Sequence, residues 1–349
     1  MAKRKTLPKD FSEILERGDA EEIKAVFDRC DFNAYDSSSS RLTALMHPNM
    51  PPELIRWLTE QGADINRFDA YHRTALHYHA YFAPEHIPLL LELGANPDIC
   101  EGEFGDTPLH YCAGGARAEG VAALLQAGAD PEICCGWSHD NALMNLLKRC
   151  RNIDIPAAVG TAEILLEHGM QVTEAMQKEV TRIGTEFEFH RRNFNPEYLE
   201  EYDAALKALY RLFGTEPVPQ RKMHDGKSPI RAEGETWQAQ YQSLWEQLVP
   251  GQGAAETLQG EAIRVIGRLA NEVLDNGACN WDADFRKMVN AFAAYLAEGT
   301  PADEETRKRA KHISPETDEQ EFAFLTAETV RWIAANPMPL PLPKPDYRR

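Results

Sequence analysis

The sequence lacks the features by which several protein classes are recognised. No stretch approaches 18 consecutive apolar residues, and the opening segment, MAKRKTLPKDFSEILERGD, contains no apolar signal-peptide core. We therefore expect a cytoplasmic protein that does not enter a membrane. The seven cysteines are odd in number and scattered, and no CxxC pair is present, so we expect reduced thiols rather than disulfides or a zinc site.

Combinations of residues that are typical of catalytic or metal-binding sites are also missing. We find no paired carboxylates, no serine or cysteine nucleophile with a histidine, and no metal-ligand spacing. The glycines at 251 and 253 lead into a helical pattern, but no Walker lysine follows and no strand precedes, so phosphate binding is not expected. His72, His77, His79 and His86 fall within 15 residues, yet we do not interpret them as a metal site. We expect no metal, no cofactor and no enzyme activity.

Positive charge is scarce relative to negative charge. The formal net charge is −18, and residues 1–214 carry 21 basic and 34 acidic residues, which places −13 of that excess in the first part of the chain. An acidic surface repels phosphate backbones and accelerates the encounter with basic partners. The sequence therefore argues against nucleic-acid binding and allows a basic protein partner, although acidity also serves solubility alone.

An internal repeat is the strongest positive signal. Gly62, Gly94 and Gly128 each follow an amphipathic segment, and they recur 32 and 34 residues apart. Glycine at the end of such a segment takes the left-handed conformation that terminates a helix. A period near 33 residues is typical of a solenoid of stacked helix pairs.

A second series of residues runs in phase with these glycines. Arg73-Thr-Ala-Leu-His77 and Asp106-Thr-Pro-Leu-His110 have degraded counterparts in Thr43-Ala-Leu-Met46 and Asn141-Ala-Leu-Met144. In each, Thr or Asn caps a helix and the leucine enters the core between neighbouring repeats. These motifs resemble the TPLH signature of the ankyrin-repeat family. The resemblance is closest over residues 41–135, and it implies that His77 and His110 make structural hydrogen bonds between loops and neighbouring repeats.

The expected fold class is all-α, with about five to six ankyrin helix pairs that diverge at both ends, followed by a small helical bundle. We predict an ankyrin-repeat domain at 1–214, a linker at 215–236, a helical domain at 237–336 and a proline-rich tail at 337–349. The linker could also be an extended crossing segment, and the tail is expected to be extended, either free or laid across the body.

The resemblance also implies a partner-binding site, because ankyrin repeats bind through their β-turn fingers and the exposed positions of each first helix. Aromatic and arginine side chains are prominent at those positions, and such residues dominate binding energies. Some of these aromatics could instead fold back over the core. The predicted partner-binding residues are Phe68, Tyr71, Arg73, Tyr81, Phe82, Glu103, Phe104, Asp106, Trp137, Ser138, Asp140, Lys148 and Arg149.

The helical domain offers one candidate polar site. Glu261, Arg264 and Arg268 share a helix face, but opposite charges spaced three and four residues apart are typical of a solvated helix. A deep polar pocket at Glu261 and Arg264 would favour an enzyme.

Three functions follow, in order of preference. The first is a protein-binding module that acts as a bacterial immunity-type inhibitor and neutralises a toxin by direct binding. The second is an ankyrin scaffold, regulator or host-directed effector with a cellular protein partner. The third is an enzyme with its site in the C-terminal helices.

Overall fold

The structure is a computed structural model, and it describes residues 3–100, 105–134 and 139–348. The chain packs as two compact units, one made of Met1–Gly184 with Tyr198–Pro217, the other of Thr185–Glu197 with Val218–Arg349. Both are dominated by helices, so the predicted all-α class is confirmed. No helix among the described residues is long and apolar enough to cross a membrane.

The first unit begins with two short strands that flank a pair of helices, and it continues as a series of helix pairs. Its elements are β1 (Arg4–Thr6), α1 (Phe11–Arg17), α2 (Ala20–Val26), β2 (Cys30–Tyr35), α3 (Pro52–Glu60), α4 (Ala75–Phe82), α5 (Ile87–Glu92), α6 (Pro108–Gly114), α7 (Ala118–Gln126), α8 (Ala142–Arg149), α9 (Ile155–Glu167), α10 (Glu174–His190) and α11 (Pro196–Phe213), the last two of which extend beyond this unit's bounds. Strands β1 and β2 pair in parallel, an element that the sequence did not predict. Short 3₁₀ turns lie at Ala44–Met46, Pro84–His86, Asn152–Asp154 and Arg191–Asn193.

The predicted helix ends are confirmed by the backbone. Gly62, Gly94, Gly128 and Gly169 all adopt positive φ angles between 89° and 95°, a conformation that costs other residues more than glycine. Helix α8 starts where Asn141 accepts a hydrogen bond from the Met144 amide at 3.0 Å. The period of the sequence therefore corresponds to one helix pair.

A ladder of side-chain amides and carboxylates joins the loops that follow these glycines. The Asn66 side chain donates to the Gly94 carbonyl at 2.9 Å and accepts from the Asn96 amide at 2.9 Å. Asp98 accepts from the Asp130 amide in the next loop at 2.9 Å. Each loop thus satisfies backbone groups of its neighbour, which fixes the spacing of the repeats.

The second unit is a helical bundle around one buried helix. It contains α12 (Trp237–Leu248), α13 (Leu258–Ala270), a π-helical turn (Asn271–Asp275), α14 (Ala283–Tyr295), α15 (Glu304–Ala310) and α16 (Glu319–Ala335). Helix α13 packs against α12, α14 and α16. Its residues from Leu258 to Ile266 are all buried, so it forms the centre of this core.

The bounds of the two units differ from the predicted domains at the segment expected to be a linker. Residues from Val218 onward belong to the second unit, and Ile230 lies in its core. The Arg221 guanidinium donates to the carbonyls of Trp245, Glu246 and Val249, at 2.9, 2.7 and 2.7 Å. It thereby caps the end of α12, where carbonyl groups have no partner within the helix. The segment is extended, but it is fixed to this unit.

The proline-rich tail lies across the second unit rather than free. Leu340 exchanges hydrogen bonds with the start of α13, accepting from the Leu258 amide at 3.0 Å and donating to the Gln259 side chain at 2.9 Å. Tyr347 is buried in the core. Of the two alternatives that the composition left open, the structure therefore selects the bound tail.

Candidate protein-binding surface

The turn that precedes α4 is organised by one buried carboxylate. Asp69 accepts hydrogen bonds from the amides of Tyr71 and Arg73 at 2.7 and 2.9 Å, and from the Tyr78 hydroxyl at 2.6 Å. His72, between them, takes a left-handed φ of 60°. The turn is thus held from inside, and it presents Tyr71 with 57% of its surface exposed.

Arg73 is fixed by the same carboxylate and by a set of tyrosine rings. Its Nε and Nη2 atoms lie 3.2 and 3.1 Å from Asp69 Oδ2, and Nη1 donates to the Tyr111 hydroxyl at 3.2 Å. The guanidinium carbon lies 4.8 to 5.6 Å from the ring centres of Tyr71, Tyr78 and Tyr111. Cation–π contacts and ion pairing therefore hold the arginine in one orientation before any partner arrives.

A second aromatic group lies at the end of α4. The Tyr81 ring is 4.7 Å from Phe82 and 5.2 Å from Tyr111, measured between ring centres, and the Arg117 guanidinium lies 4.4 Å from the Tyr81 ring centre. Tyr81 packs on Gly115, where an added Cβ would come within 2.2 Å of the ring. Phe82 remains 56% exposed. Tyr81 therefore contributes to packing, whereas Phe82 is available to a partner.

Charged residues of the following repeats lie in pairs. Arg149 contacts Asp106 at 3.1 Å, and Lys148 contacts Asp140 at 2.8 Å. These four were predicted as partner-binding residues, and the structure brings them together as two ion pairs. Among the remaining predicted residues, Phe68 is half-buried. Glu103, Phe104, Trp137 and Ser138 lie outside the described residues.

The motif histidines connect consecutive repeats. His77 Nε2 lies 2.9 Å from the Asp106 carbonyl, and His110 Nε2 lies 2.9 Å from the Asp140 carbonyl. Because a carbonyl can only accept, each Nε2 carries the hydrogen, and His77 Nδ1 accepts from Thr74. Burial lowers the pKa of His77 to about 4, so the ring is neutral at pH 7. Among the residues that the structure describes, no group of three histidine, cysteine or acidic side chains could hold a metal ion.

Comparison with known families agrees with this geometry. Residues 42–134 match the family model of ankyrin repeats, in three copies. This segment consists of ankyrin repeats. Among curated proteins, no match to the chain was found. Ankyrin repeats indicate a protein–protein interaction module, and the expected structural role of the motif histidines is present in both of the central ankyrin repeats.

Sequence reasoning missed several residues of this surface. Tyr111 and Arg117 were not predicted, although Tyr111 contacts both Arg73 and Tyr81. A signal was present, because a tyrosine directly follows the motif histidine in both central ankyrin repeats, at 78 and 111. The role of Asp69 was missed as well, since nothing in the sequence indicates that its carboxylate is turned inward.

The expectation of a solvated face around Glu261 is wrong. Glu261 and Arg264 are buried, and the Arg264 guanidinium binds the carboxylate through two nitrogens at 2.9 and 2.6 Å. The same carboxylate accepts from the Ala255 amide at 2.8 Å and from the Tyr347 hydroxyl at 2.6 Å. The spacing is typical of exposed helices, but burial of α13 on every side turns it into a core ion pair.

The chemistry of this buried group follows from its surroundings. Burial alone would raise the pKa of Glu261, but the hydrogen bonds from Arg264, Tyr347 and the Ala255 amide outweigh it and hold the pKa below its usual range. A cleft of about 1160 Å³ in this unit is lined by Arg264, Trp237, Tyr241 and Trp245, among others. Glu261 does not line it. The carboxylate therefore holds the core together and has no open face for a substrate.

Proposed function

We propose that this chain is a protein-binding module that captures its partner on the aromatic surface formed by Tyr71, Arg73, Phe82 and Tyr111. The observation that carries the proposal is the exposure of Tyr71 beside an arginine that is already fixed in place, and of Phe82, which is linked to the same group through the rings of Tyr81 and Tyr111. Single exposed aromatics are ordinary on protein surfaces, but an aromatic and arginine cluster is typical of interface hot spots.

The fixed geometry favours affinity. A flexible arginine loses rotamer freedom when it binds, whereas Arg73 is already held by Asp69 and Tyr111. Tyr71 stands on a turn that Asp69 fixes through backbone amides. A partner that meets this surface therefore has little ordering cost to overcome on this side of the interface.

The finer proposal is that capture neutralises a toxin, as an immunity-type inhibitor does. The acidic excess of residues 1–214 supports it, because a net charge of −13 speeds the encounter with a basic toxin domain. Direct binding needs no catalytic group on the inhibitor. The proposal includes no membrane or nucleic-acid partner.

The binding surface is tested by capture with two variants. Immobilised full-length chain is exposed to extract from cells that express it naturally, and bound proteins are identified by mass spectrometry. Tyr71→Ser with Phe82→Ser should abolish capture of the partner while leaving the melting temperature nearly unchanged, because both side chains are exposed. Met338→Ala, which removes an equally exposed side chain from the second unit, should capture normally.

Two results would contradict this assignment. Undiminished capture by the double variant would place the interface elsewhere, and a large loss of thermal stability would show that Tyr71 and Phe82 belong to the core.

The inhibitor proposal has its own test. The captured protein is expressed in a sensitive host with and without the chain. Rescue of growth by the native chain and not by the double variant supports the inhibitor function. A captured protein that is harmless to the host would point instead to a scaffold or regulator.

A further inference from the structure

A cavity of about 470 Å³ opens beside Tyr71, between the turns of two neighbouring ankyrin repeats. Its walls are formed by one arginine from each side, by hydroxyl-bearing rings and by one carboxylate. The lining residues are Tyr71, His72, Arg73, Gly105, Asp106, Tyr111 and Arg149.

One wall presents part of the Arg73 guanidinium. This group has five N–H donors, and its contacts to Asp69 and Tyr111 engage three of them at most. At least two donors therefore have no acceptor among the described residues. Because Arg73 is held by its ion pair and by tyrosine rings, these donors keep a fixed direction.

Arg149 also lines the cavity. Its side chain crosses Gly114 so closely that an added Cβ there would lie 2.8 Å from Arg149 Cδ. Nη2 contacts Asp106 Oδ2 at 3.1 Å, and about half of the side chain is exposed. The remaining donors of this guanidinium are available at the cavity.

Among the described residues at the cavity, the charge balance favours a singly charged anion. Arg73 and Arg149 each have one acidic partner, Asp69 and Asp106, so the four charges cancel. A phosphate with nearly two negative charges would need an excess of positive charge. A carboxylate carries one charge and is planar, and it matches the paired donors of a guanidinium.

We propose that this cavity receives a carboxylate of the bound protein partner, held between Arg73 and Arg149. The inference rests on the proposed function, because it takes the carboxylate to be part of a captured protein. Two sources share this chemistry, an aspartate or glutamate side chain and a chain terminus. An acidic residue at this point of a largely basic partner fixes the register of the complex.

The site is tested directly by NMR of arginine side chains in the full-length chain, without any partner. The Nε–Hε signals of Arg73 and Arg149 are followed during titration with N-acetylglutamate amide, for a side-chain carboxylate, and with N-acetylalanine, for a terminal one. N-acetylglutamine amide serves as the uncharged control, and inorganic phosphate as the competing anion. We expect both signals to shift on addition of at least one carboxylate, with a millimolar dissociation constant. Added salt should weaken this binding, and the uncharged amide should cause no shift.

Equal response to the uncharged amide would overturn the proposal, and so would phosphate binding ten times more tightly than either carboxylate. A response to N-acetylalanine alone would assign the site to a chain terminus, and a response to N-acetylglutamate amide alone to a side chain.

Variants separate the site from the general surface charge. Arg73→Lys would remove the paired geometry but could unfold the turn, so Arg149→Gln is the decisive variant because its side chain is half exposed. We expect Arg149→Gln to weaken carboxylate binding about tenfold or more, since one of two charged contacts is lost. The matched control is Arg56→Gln, which removes an exposed arginine paired with Glu92 elsewhere in this unit. Equal effects of the two variants would contradict the proposal.

Two combinations of results distinguish this inference from the proposed function. Loss of capture with Tyr71→Ser and Phe82→Ser, together with no carboxylate response in the NMR titration, would support the proposed binding surface and reject the carboxylate site. Carboxylate binding that depends on Arg149, combined with undiminished capture by the double variant, would support the site and reject the surface.

Discussion

In the ankyrin repeats, Arg73, Tyr71 and Tyr111 reach the surface, whereas in the second unit Arg264 and Tyr347 are buried together with Glu261. Both groups consist of an arginine, a carboxylate and tyrosine hydroxyls. The difference is that the Arg73 guanidinium retains N–H donors for another molecule, whereas the donors to the Glu261 carboxylate come from its own chain. The same chemistry is thus open at the surface in one unit, where we propose that it serves recognition, and closed within the core of the other.

The largest expected effect comes from breaking the buried pair. Arg264→Met leaves the Glu261 carboxylate buried without its positive partner, so we expect the free energy of unfolding of the second unit to fall by about 3–5 kcal/mol. Urea unfolding followed by hydrogen exchange in 258–275 and in 75–82 measures the loss in each unit. The control is Arg331→Met, which removes an exposed arginine paired with Glu328 at the same spacing of three residues. A comparable loss in both variants would show that burial of the pair is unimportant.

The next expected effect is a loss of stability on acidification, and it arises from buried histidines of the ankyrin repeats. Burial lowers the pKa of His77 and His79 to about 4, from about 6.5 in an unfolded chain. As pH falls below 6.5, the unfolded chain binds protons that the folded chain binds only near pH 4, so stability present at neutral pH is lost on acidification. Each histidine should contribute a loss of about 2 kcal/mol between pH 7 and pH 5.

Urea unfolding at several pH values checks this expectation. His77→Gln should make the dependence of stability on pH shallower by about 0.7 proton on average in that range. An unchanged slope would show that the pKa of His77 in the folded chain does not lie below its value in the unfolded chain.

The smallest of the three expected effects concerns the contact between the C-terminal tail and the core of the second unit. Tyr347→Phe removes the hydroxyl that donates to Glu261 at 2.6 Å and lies 2.9 Å from the Tyr295 hydroxyl. We expect a loss of about 1–3 kcal/mol, because a buried carboxylate loses one donor without becoming exposed. A thermal melt monitored by tryptophan fluorescence provides the measurement, since four of the six tryptophans belong to the second unit, at 237, 245, 281 and 332. No change in melting temperature would mean that the tail does not contribute to this core.

The sequence predicted the repeat unit well because its determinants are local and recur. Gly62 and Gly94 end helices, and Thr74 with His77 begins one, within a few residues of chain. The turn at Tyr71 was located for the same reason. The orientation of Arg73 was not predictable, since it depends on Tyr111, which lies 38 residues away in the next repeat.

In the second unit, the helical bundle was predictable from the sequence, but the burial of Glu261 was not. Its partners include Arg264, three residues away, and Tyr347, 86 residues away. Nothing local distinguishes a pair that will be covered on all sides from one that faces water. The same holds for residues 215–236, because proline and glycine indicate an extended chain but not that Arg221 will cap a helix.

The separation of Tyr347 and Glu261 in the sequence also implies a delay during synthesis of the chain. A ribosome that adds 5–20 residues per second needs about 4 to 17 seconds to progress across the 86 residues that separate them. During that interval the helix that carries Glu261 has no tyrosine donor, while the repeats upstream already have all of their neighbours. The core of the second unit therefore receives its last hydrogen-bond donor to Glu261 only when the tail has been synthesised.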